Sequence, residues 1–249
     1  MITGASSGIG EACAWRFAAE GFRMILTGRR KTRLEKLKSA LSEKHQVEIL
    51  PLAFDVSSRQ ETEQAIKELP REWEKIDILV NNAGLALGFG GIDQGNIDDW
   101  EKMIDTNLKG LLYISRAIMP GMVERKSGHI INIGSIAGKE TYPGGNVYCA
   151  TKNAVDSLTR AMRMDLVHYG IRVSNVSPGA TETEFSEVRF HGDIQKAKNI
   201  YKGYKPLCGD DVARAVVFAA TLPGHVNVND MLIMPTAQAA ATIFNKKGE

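Results

Sequence analysis

The chain has 249 residues, of which 43% are hydrophobic and 24% charged, with a formal net charge of +2 at pH 7. These values are typical of a globular protein with a sizeable core, and the dispersed, nearly balanced charge argues against nucleic acid or anionic membranes as partners. The three cysteines and five histidines show no disulfide framework and no metal-ligand spacing, so we expect no metal. The sequence has no spanning segment and no leader, and we expect a cytoplasmic location.

Short apolar runs alternate with amphipathic segments along the whole chain. The predicted strands are 1–3, 22–27, 47–54, 76–80, 129–135, 171–176 and 231–234. The predicted helices are 11–20, 32–44 with Thr32 as a cap, 57–73, 97–123, 146–169, 194–202 and 210–222. This pattern predicts an α/β fold: one doubly wound domain over residues 1–249, with a mostly parallel sheet buried between two layers of helices. The first strand is short for a buried strand, so we expect a few residues to be missing before Met1.

A glycine-rich turn from Gly4 to Gly10 joins the first strand to the first helix. Glycines let the backbone approach a pyrophosphate, and the amides of a helix N-terminus favour the anion. The spacing is neither the G-x-G-x-x-G fingerprint nor a P-loop. The position at the start of a βαβ unit nevertheless favours phosphate binding over a turn without a ligand.

Two arginines, Arg29 and Arg30, follow the second strand. In dinucleotide-binding sheets an acidic residue at this place binds the ribose of NAD, whereas an arginine accommodates the 2′-phosphate of NADP. The nearest carboxylate further along the chain is Glu35. The sequence therefore predicts NADP rather than NAD.

Tyr148 and Lys152 are four residues apart on a predicted helix and so share one face. A free phenol has a pKa of about 10 and is a poor base at neutral pH, but a nearby ammonium group favours the phenolate. The pair is therefore a candidate for acid/base chemistry. The same spacing alone is also common in ordinary helix packing.

Four motifs occur in order along the chain: Thr3-Gly4-Ala5-Ser6-Ser7-Gly8-Ile9-Gly10, Asn81-Asn82-Ala83-Gly84, Ser135 and Tyr148-x-x-x-Lys152. In these motifs the chain resembles the short-chain dehydrogenase/reductase family over nearly its whole length. The resemblance implies a Rossmann-type sheet, a nicotinamide cofactor and reversible alcohol–carbonyl chemistry. The charge that develops on the substrate oxygen in such chemistry is stabilised by nearby hydroxyl groups.

The resemblance also implies a role for each motif residue. Tyr148 would be the general acid/base, and Ser135 would hydrogen-bond the substrate oxygen. Lys152 would hold the nicotinamide ribose and lower the pKa of Tyr148, and Asn107 would anchor a water that relays protons to Lys152. The expected contacts of NADP are Gly4, Ser6, Ser7, Gly8, Ile9, Gly10, Arg29, Arg30, Asp55, Val56, Asn82, Ala83, Gly84, Tyr148, Lys152, Pro178, Gly179 and Thr181.

Several loops are similar to those of the NADP-dependent 3-hydroxy acid dehydrogenases that also oxidise serine and allo-threonine. These loops are 82–88, 142–146, 183–192 and 234–236. The resemblance implies a small hydroxy acid as substrate and, as is typical of that group, a homotetramer. Substrates of another carbonyl class, such as 3-oxoacyl thioesters or sugars, are an alternative, and a dinucleotide-sensing protein without turnover is a further one.

Arg189 is the only arginine in segment 181–201 after Gly179, and this segment commonly covers the substrate in proteins of the family that the chain resembles. A guanidinium group suits bidentate binding of a carboxylate. We therefore expect Arg189 to bind the acid group together with Ser135 and Tyr148 at the hydroxyl. A surface arginine or an ion pair between subunits is the competing interpretation, and Gln238 is a weaker second candidate.

Overall fold

The computed structural model describes residues 1–247, so the last two residues of the predicted domain lie outside the described part. The helices are α1 Gly8–Ala19, α2 Lys31–His45, α3 Arg59–Lys67, α4 Ile97–Ile104, α5 Leu111–Arg125, α6 Asn146–Leu166, α7 Glu184–Arg189, α8 Ile194–Asn199 and α9 Gly209–Thr221. The strands are β1 Met24–Gly28, β2 Ile49–Ala53, β3 Ile78–Asn81, β4 Gly128–Ile133, β5 Ile171–Pro178, β6 Thr181–Glu182, β7 Leu207–Cys208 and β8 Asp230–Ile233.

The main sheet is parallel throughout, with strands in the order β2, β1, β3, β4, β5 and β8. Residues 1–3 lie between β1 and β3: Ile2 pairs with Leu26 on one side and with Val80 on the other. The backbone bonds from Ile2 N to Ile25 O and from Thr3 N to Val80 O are 2.9 and 3.0 Å long. The short first run therefore has the central place of a strand, as predicted.

Helices pack on both faces of this sheet, so its strands are rich in buried Ile, Leu and Val and do not alternate between apolar and polar residues. One core cluster packs α1, α2 and α9 on one face, and a second packs α3, α5 and α6 on the other. Ile130, Ile131 and Val173 are fully buried within these clusters. The predicted doubly wound α/β architecture is confirmed.

Local features differ from the predictions at several places. Thr32 is not the cap of α2, because the helix begins at Lys31 after Arg30 and has no side-chain cap bond. The predicted helix 97–123 contains a π-helical turn at Asp105–Gly110, which separates α4 from α5. The segment 181–208 was only partly predicted: β6 pairs with β7, and α7 lies between them.

Residues 1–247 contain no helix whose length and apolar character would suffice to cross a membrane. Within the same range no group of three or more His, Cys, Asp and Glu side chains is arranged to hold a metal ion.

Candidate active site

A cavity of about 710 Å³ lies at the carboxyl edge of the sheet. It opens where the order of the strands reverses, between residues 1–3 and β3, which is the place where ligands bind in doubly wound sheets. The predicted residues that line it are Gly4, Ser6, Ser7, Gly8, Ile9, Arg29, Arg30, Asp55, Val56, Asn82, Ala83, Gly84, Ser135, Tyr148, Lys152, Pro178, Gly179, Thr181 and Arg189. Gly10 and Asn107 lie behind its wall rather than on it.

The glycine turn forms a floor that has no room for side chains. Gly4 has a φ of +64°, and a Cβ placed on it would lie 2.9 Å from the Cα of Ala83. A Cβ on Gly10 would lie 2.5 Å from Nδ2 of Asn82. Asn82 holds the turn in place, because its Nδ2 donates to the carbonyl of Thr3 over 2.9 Å. The turn thus leaves backbone amides open to the cavity beside the N-terminus of α1, which suits a pyrophosphate.

Arg30 reaches across this turn. Its Nε donates to Oγ of Ser6 over 3.1 Å, and its Nη2 donates to Oγ of Ser7 over 2.6 Å. Arg29 instead points outward: its side chain is 69% exposed and lies 3.8 Å from the carboxylate of Asp55. Of the two predicted arginines, Arg30 is therefore the one directed at the phosphate turn.

Two residues near Arg30, Arg33 and Glu184, were not among the site residues predicted from the sequence. Arg33 lies one turn further along α2, and both guanidinium groups bind the carboxylate of Glu184. The spacing of three residues between Arg30 and Arg33 was a usable signal, since such residues share a helix face. Nothing local marked Glu184, which is 154 positions from Arg30.

Tyr148 and Ser135 face each other at the inner end of the cavity. Ser135 follows β4, and its hydroxyl accepts a hydrogen bond from the amide of Ala137 over 3.1 Å. Burial and the neighbouring Tyr142 raise the pKa of Tyr148, whereas a hydrogen bond from Ser135 and the charge of Arg189 act in the opposite direction. The Tyr148 phenol is therefore protonated at neutral pH in this conformation.

Lys152 lies one helical turn from Tyr148 and is buried. Its Nζ donates to the carbonyl of Ile133 over 2.9 Å. Burial lowers the pKa of Lys152 to about 8. Burial is the largest influence on the Tyr148 pKa, and the main opposing influences come from Ser135 and Arg189. The expected lowering of this pKa by Lys152 stays a prediction.

Asn107 occupies the π-helical turn between α4 and α5 and is 2% exposed. Its amide group binds the backbone of Leu85 in both directions, with Oδ1 accepting from the amide and Nδ2 donating to the carbonyl, each over 2.8 Å. Nδ2 also donates to Oγ1 of Thr151 over 3.1 Å. Asn107 therefore fixes the chain that follows Gly84 against α6, one residue from Lys152.

Arg189 lies over the catalytic tyrosine candidate, with its Cζ 5.7 Å from the centre of the Tyr148 ring. Its Nη1 donates to the hydroxyl of Tyr142 over 3.2 Å, and its Nε donates to the carbonyl of Gly88 over 3.4 Å. Nη2 is buried and has no hydrogen-bond partner among residues 1–247. Phe185, from the same helix as Arg189, packs against Tyr148 with the ring centres 5.7 Å apart. The segment after Gly179 thus covers the inner end of the cavity, as expected.

His191, in the same segment as Arg189, and the second candidate Gln238 both have partners within the protein. His191 lies 3.0 Å from the carboxylate of Asp99. Gln238 accepts from the amide of Ala180 over 2.7 Å and donates to the carbonyl of Ala240 over 3.2 Å. The contacts of Gln238 are explained by the turn after Gly179, so it is a poor candidate for binding substrate.

Comparison with known proteins agrees with this geometry. The model of the short chain dehydrogenase family matches residues 1–193. The chain belongs to the short-chain dehydrogenase/reductase family. The NADP-dependent 3-hydroxy acid dehydrogenase of Salmonella typhi is 48% identical over 242 residues, covering 97% of this chain and 96% of the relative. The enzyme of the same description from Schizosaccharomyces pombe is 44% identical over 248 residues, covering 99% and 96%.

Solved structures give the same family. The closed form of serine dehydrogenase complexed with NADP+ is 46% identical, has a TM-score of 0.93, and covers 99% of this chain and 98% of that one. Serine dehydrogenase from Escherichia coli is 43% identical with a TM-score of 0.83, covering 95% and 97%. This short-chain dehydrogenase is accordingly an NADP-dependent oxidoreductase that acts on hydroxyl groups. The glycine floor and the guanidinium group of Arg30 fit that cofactor.

Proposed function

We propose that the protein interconverts a small 3-hydroxy acid, including serine or allo-threonine, and the corresponding 3-oxo acid or semialdehyde. The observation that carries this proposal is the buried Nη2 of Arg189, which has no partner among residues 1–247 and lies beside Tyr148. A buried unpaired donor is costly, and a bound carboxylate would satisfy it with a charge-assisted bond. The names of the relatives, which include 3-hydroxy acid dehydrogenases and serine dehydrogenases, support the same class of substrate.

In the proposed reaction the substrate hydroxyl lies between Ser135 and Tyr148. The bound nicotinamide supplies the hydride acceptor for oxidation and the hydride donor for reduction. Tyr148 takes the hydroxyl proton in oxidation and returns a proton to the oxygen in reduction, and Ser135 donates a hydrogen bond to the same oxygen. Lys152 holds the ribose, and its charge assists ionisation of Tyr148 while the ammonium form is populated. A water held at Asn107 that passes protons to Lys152 stays a prediction.

The residues that hold NADP are proposed in the same way. Gly4, Gly8 and Gly10 leave room for the pyrophosphate, and Asp55 and Val56 border the adenine side of the cavity. We assign the 2′-phosphate to Arg30 and to Arg33, which binds the same carboxylate as Arg30. Arg29 also borders the cavity and stays a predicted contact. The remaining predicted contacts are Ser6, Ser7, Ile9, Asn82, Ala83, Gly84, Pro178, Gly179 and Thr181.

The substrate proposal is tested by Arg189→Met, which keeps most of the aliphatic stem and removes the charge. With serine or 3-hydroxypropionate, kcat/KM should fall by about 30-fold or more, because a buried charge pair with one partner removed costs roughly 2–5 kcal/mol. With the methyl esters of the same acids the wild type should already be slow, and the variant should change little. Lys198→Met, which removes a positive charge from an exposed position of α8, is the matched control. An unchanged kcat/KM for the acids in Arg189→Met would remove Arg189 from the substrate site.

Two alternatives predict different results. A reductase of 3-oxoacyl thioesters or sugars needs no carboxylate partner, so it would prefer uncharged substrates and tolerate Arg189→Met. A dinucleotide-sensing protein would bind NADPH without turnover of any substrate in a panel of hydroxy acids, serine and simple alcohols followed at 340 nm.

We also propose that the protein is a single-domain protomer of a cytoplasmic homotetramer. Large apolar side chains are exposed on elements that could meet a second copy: Ile104 on α4, Leu112 on α5, Phe218 on α9 and Leu232 on β8. β8 is also at the end of the main sheet, where its outer edge has no partner strand among residues 1–247. Light scattering coupled to size exclusion would test the state, and a monomer at micromolar concentration would contradict it.

A further inference from the structure

Glu184 shares its carboxylate between two arginines at the nucleotide end of the cavity. Oε2 accepts from Nη1 of Arg30 over 2.9 Å, and Oε1 accepts from Nη1 of Arg33 over 2.5 Å. A carboxylate that binds two guanidinium groups uses the same donors that a phosphate would use. Arg30 binds the glycine turn through Nε and Nη2, which donate to Ser6 and Ser7. Glu184 therefore accepts from Nη1, the nitrogen that does not contact the turn.

The surroundings contain a further negative charge. Glu11, in the first turn of α1, has a raised pKa because of burial and the nearby charge of Glu184, which outweigh the opposite effects of Arg33 and Arg30. Two carboxylates thus already face two guanidinium groups. A 2′-phosphate, which carries more charge than either, would have to enter against both.

We propose that Glu184 is an internal competitor of the 2′-phosphate: NADP(H) must displace its carboxylate from Arg30 and Arg33, and Glu184 thereby determines how tightly NADP(H) is held relative to NAD(H). The proposal rests on the assignment of the 2′-phosphate to these two arginines. It concerns cofactor preference and release rather than the chemical step, because Glu184 is not directed at Ser135 or Tyr148.

The competition has a consequence for the substrate end of the cavity. Glu184 is the first residue and Arg189 the last residue of α7, a helix of six residues. At about 1.5 Å per residue the two ends are roughly 8 Å apart. A short helix therefore connects the arginines of the phosphate site with the proposed carboxylate site. When the 2′-phosphate binds Arg30 and Arg33, α7 loses the two ion pairs of Glu184 at its first residue. At its last residue, Arg189 keeps its hydrogen bonds to Gly88 and Tyr142.

The size of the effect is limited by exposure. The side chains of Arg30, Arg33 and Glu184 are 42%, 47% and 40% exposed, so solvent screens both ion pairs. We expect Glu184→Gln to tighten NADPH binding by roughly two- to tenfold, the range that one or two partly exposed pairs produce. NADH binding should be unchanged, because NADH carries no group that competes with Glu184.

The experiment measures the Kd of NADPH and of NADH by fluorescence titration for the wild type, Glu184→Gln, Glu184→Asp and Glu187→Gln. Glu187 is an exposed carboxylate of the same helix, so Glu187→Gln removes the same charge away from the arginines and should leave both constants unchanged. Glu184→Asp retains the charge and should stay near the wild type. Inhibition by 2′,5′-ADP should strengthen in Glu184→Gln, whereas inhibition by 5′-AMP should not.

Each contrary result has one meaning. NADPH binding that is unchanged or weaker in Glu184→Gln overturns the competition; the weaker case would mean that Glu184 helps to retain the bound cofactor. Arg33→Met is the separate test of the underlying assignment, and it should weaken NADPH binding more than NADH binding. If Arg33→Met discriminates and Glu184→Gln does not, the competition alone fails. If Arg33→Met does not discriminate, the assignment of the phosphate site fails.

Discussion

Asn107→Ala should lower both the free energy of unfolding and kcat/KM, because Asn107 connects the chain after Gly84 to helix α6 through hydrogen bonds. The substitution removes two hydrogen bonds of 2.8 Å to Leu85 and one of 3.1 Å to Thr151. The amide and the carbonyl of Leu85 would both lose their side-chain partner.

The magnitude follows from those two backbone groups. Each buried group that loses its partner costs about 1–3 kcal/mol. Because both Leu85 groups are only partly buried, the free energy of unfolding should fall by roughly 2–4 kcal/mol, the lower part of that sum. For a domain of this size each kcal/mol corresponds to about 2–4 °C, and Tm should fall by roughly 5–15 °C. Since Gly84 and Leu85 line the cavity, we expect kcat/KM to fall at least tenfold as well.

The assay is thermal unfolding by circular dichroism together with steady-state rates at 340 nm. Asn153→Ala is the matched control, because Asn153 also donates two bonds, to Ala137 O over 3.2 Å and to Cys149 O over 3.0 Å. Neither partner of Asn153 lines the cavity, whereas Leu85 does. Asn153→Ala should cost little Tm and little activity. If Asn107→Ala loses no more than Asn153→Ala in either measurement, Asn107 does not position the site.

Three other predictions concern the chemistry and the glycine floor. Tyr148→Phe should lower turnover by about 10²–10⁴-fold, the usual contribution of a general acid/base, while NADPH binding followed by fluorescence stays close to that of the wild type; retained turnover would refute the assigned role. Because burial raises the pKa of Tyr148, oxidation of the alcohol, which needs the ionised phenol, should accelerate from neutral to alkaline pH. Reduction uses the protonated phenol and should be nearly flat over the same interval, and a pH–rate profile with the opposite trends would contradict this sign. Gly4→Ala places a Cβ 2.9 Å from the Cα of Ala83 at a φ of +64°, so it should lower Tm and weaken NADPH binding, with Gly224→Ala, where a Cβ meets nothing within 4 Å, as the neutral comparison.

The spacing of Tyr148 and Lys152 predicts part of their relation but not all of it. An interval of four residues on a helix fixes the two side chains to one face, and this holds in α6. The interval does not fix the protonation behaviour. The pKa of Tyr148 depends on its burial and on Tyr142, Ser135 and Arg189, which the folded chain brings to it from other segments.

Sequence patterns were sufficient to predict the parallel α/β sheet, the glycine turn, the order of the strand-end motifs and the use of NADP. Each of these follows from local composition or short spacing: buried runs make strands, glycines make close turns, and an arginine pair marks a phosphate site. Three contacts required the tertiary structure: Arg30 and Arg33 share the carboxylate of Glu184, Asn107 holds Leu85, and Arg189 lies over Tyr148. The physical reason is that these contacts join residues up to 154 positions apart, and they exist only once the helices have packed on the sheet.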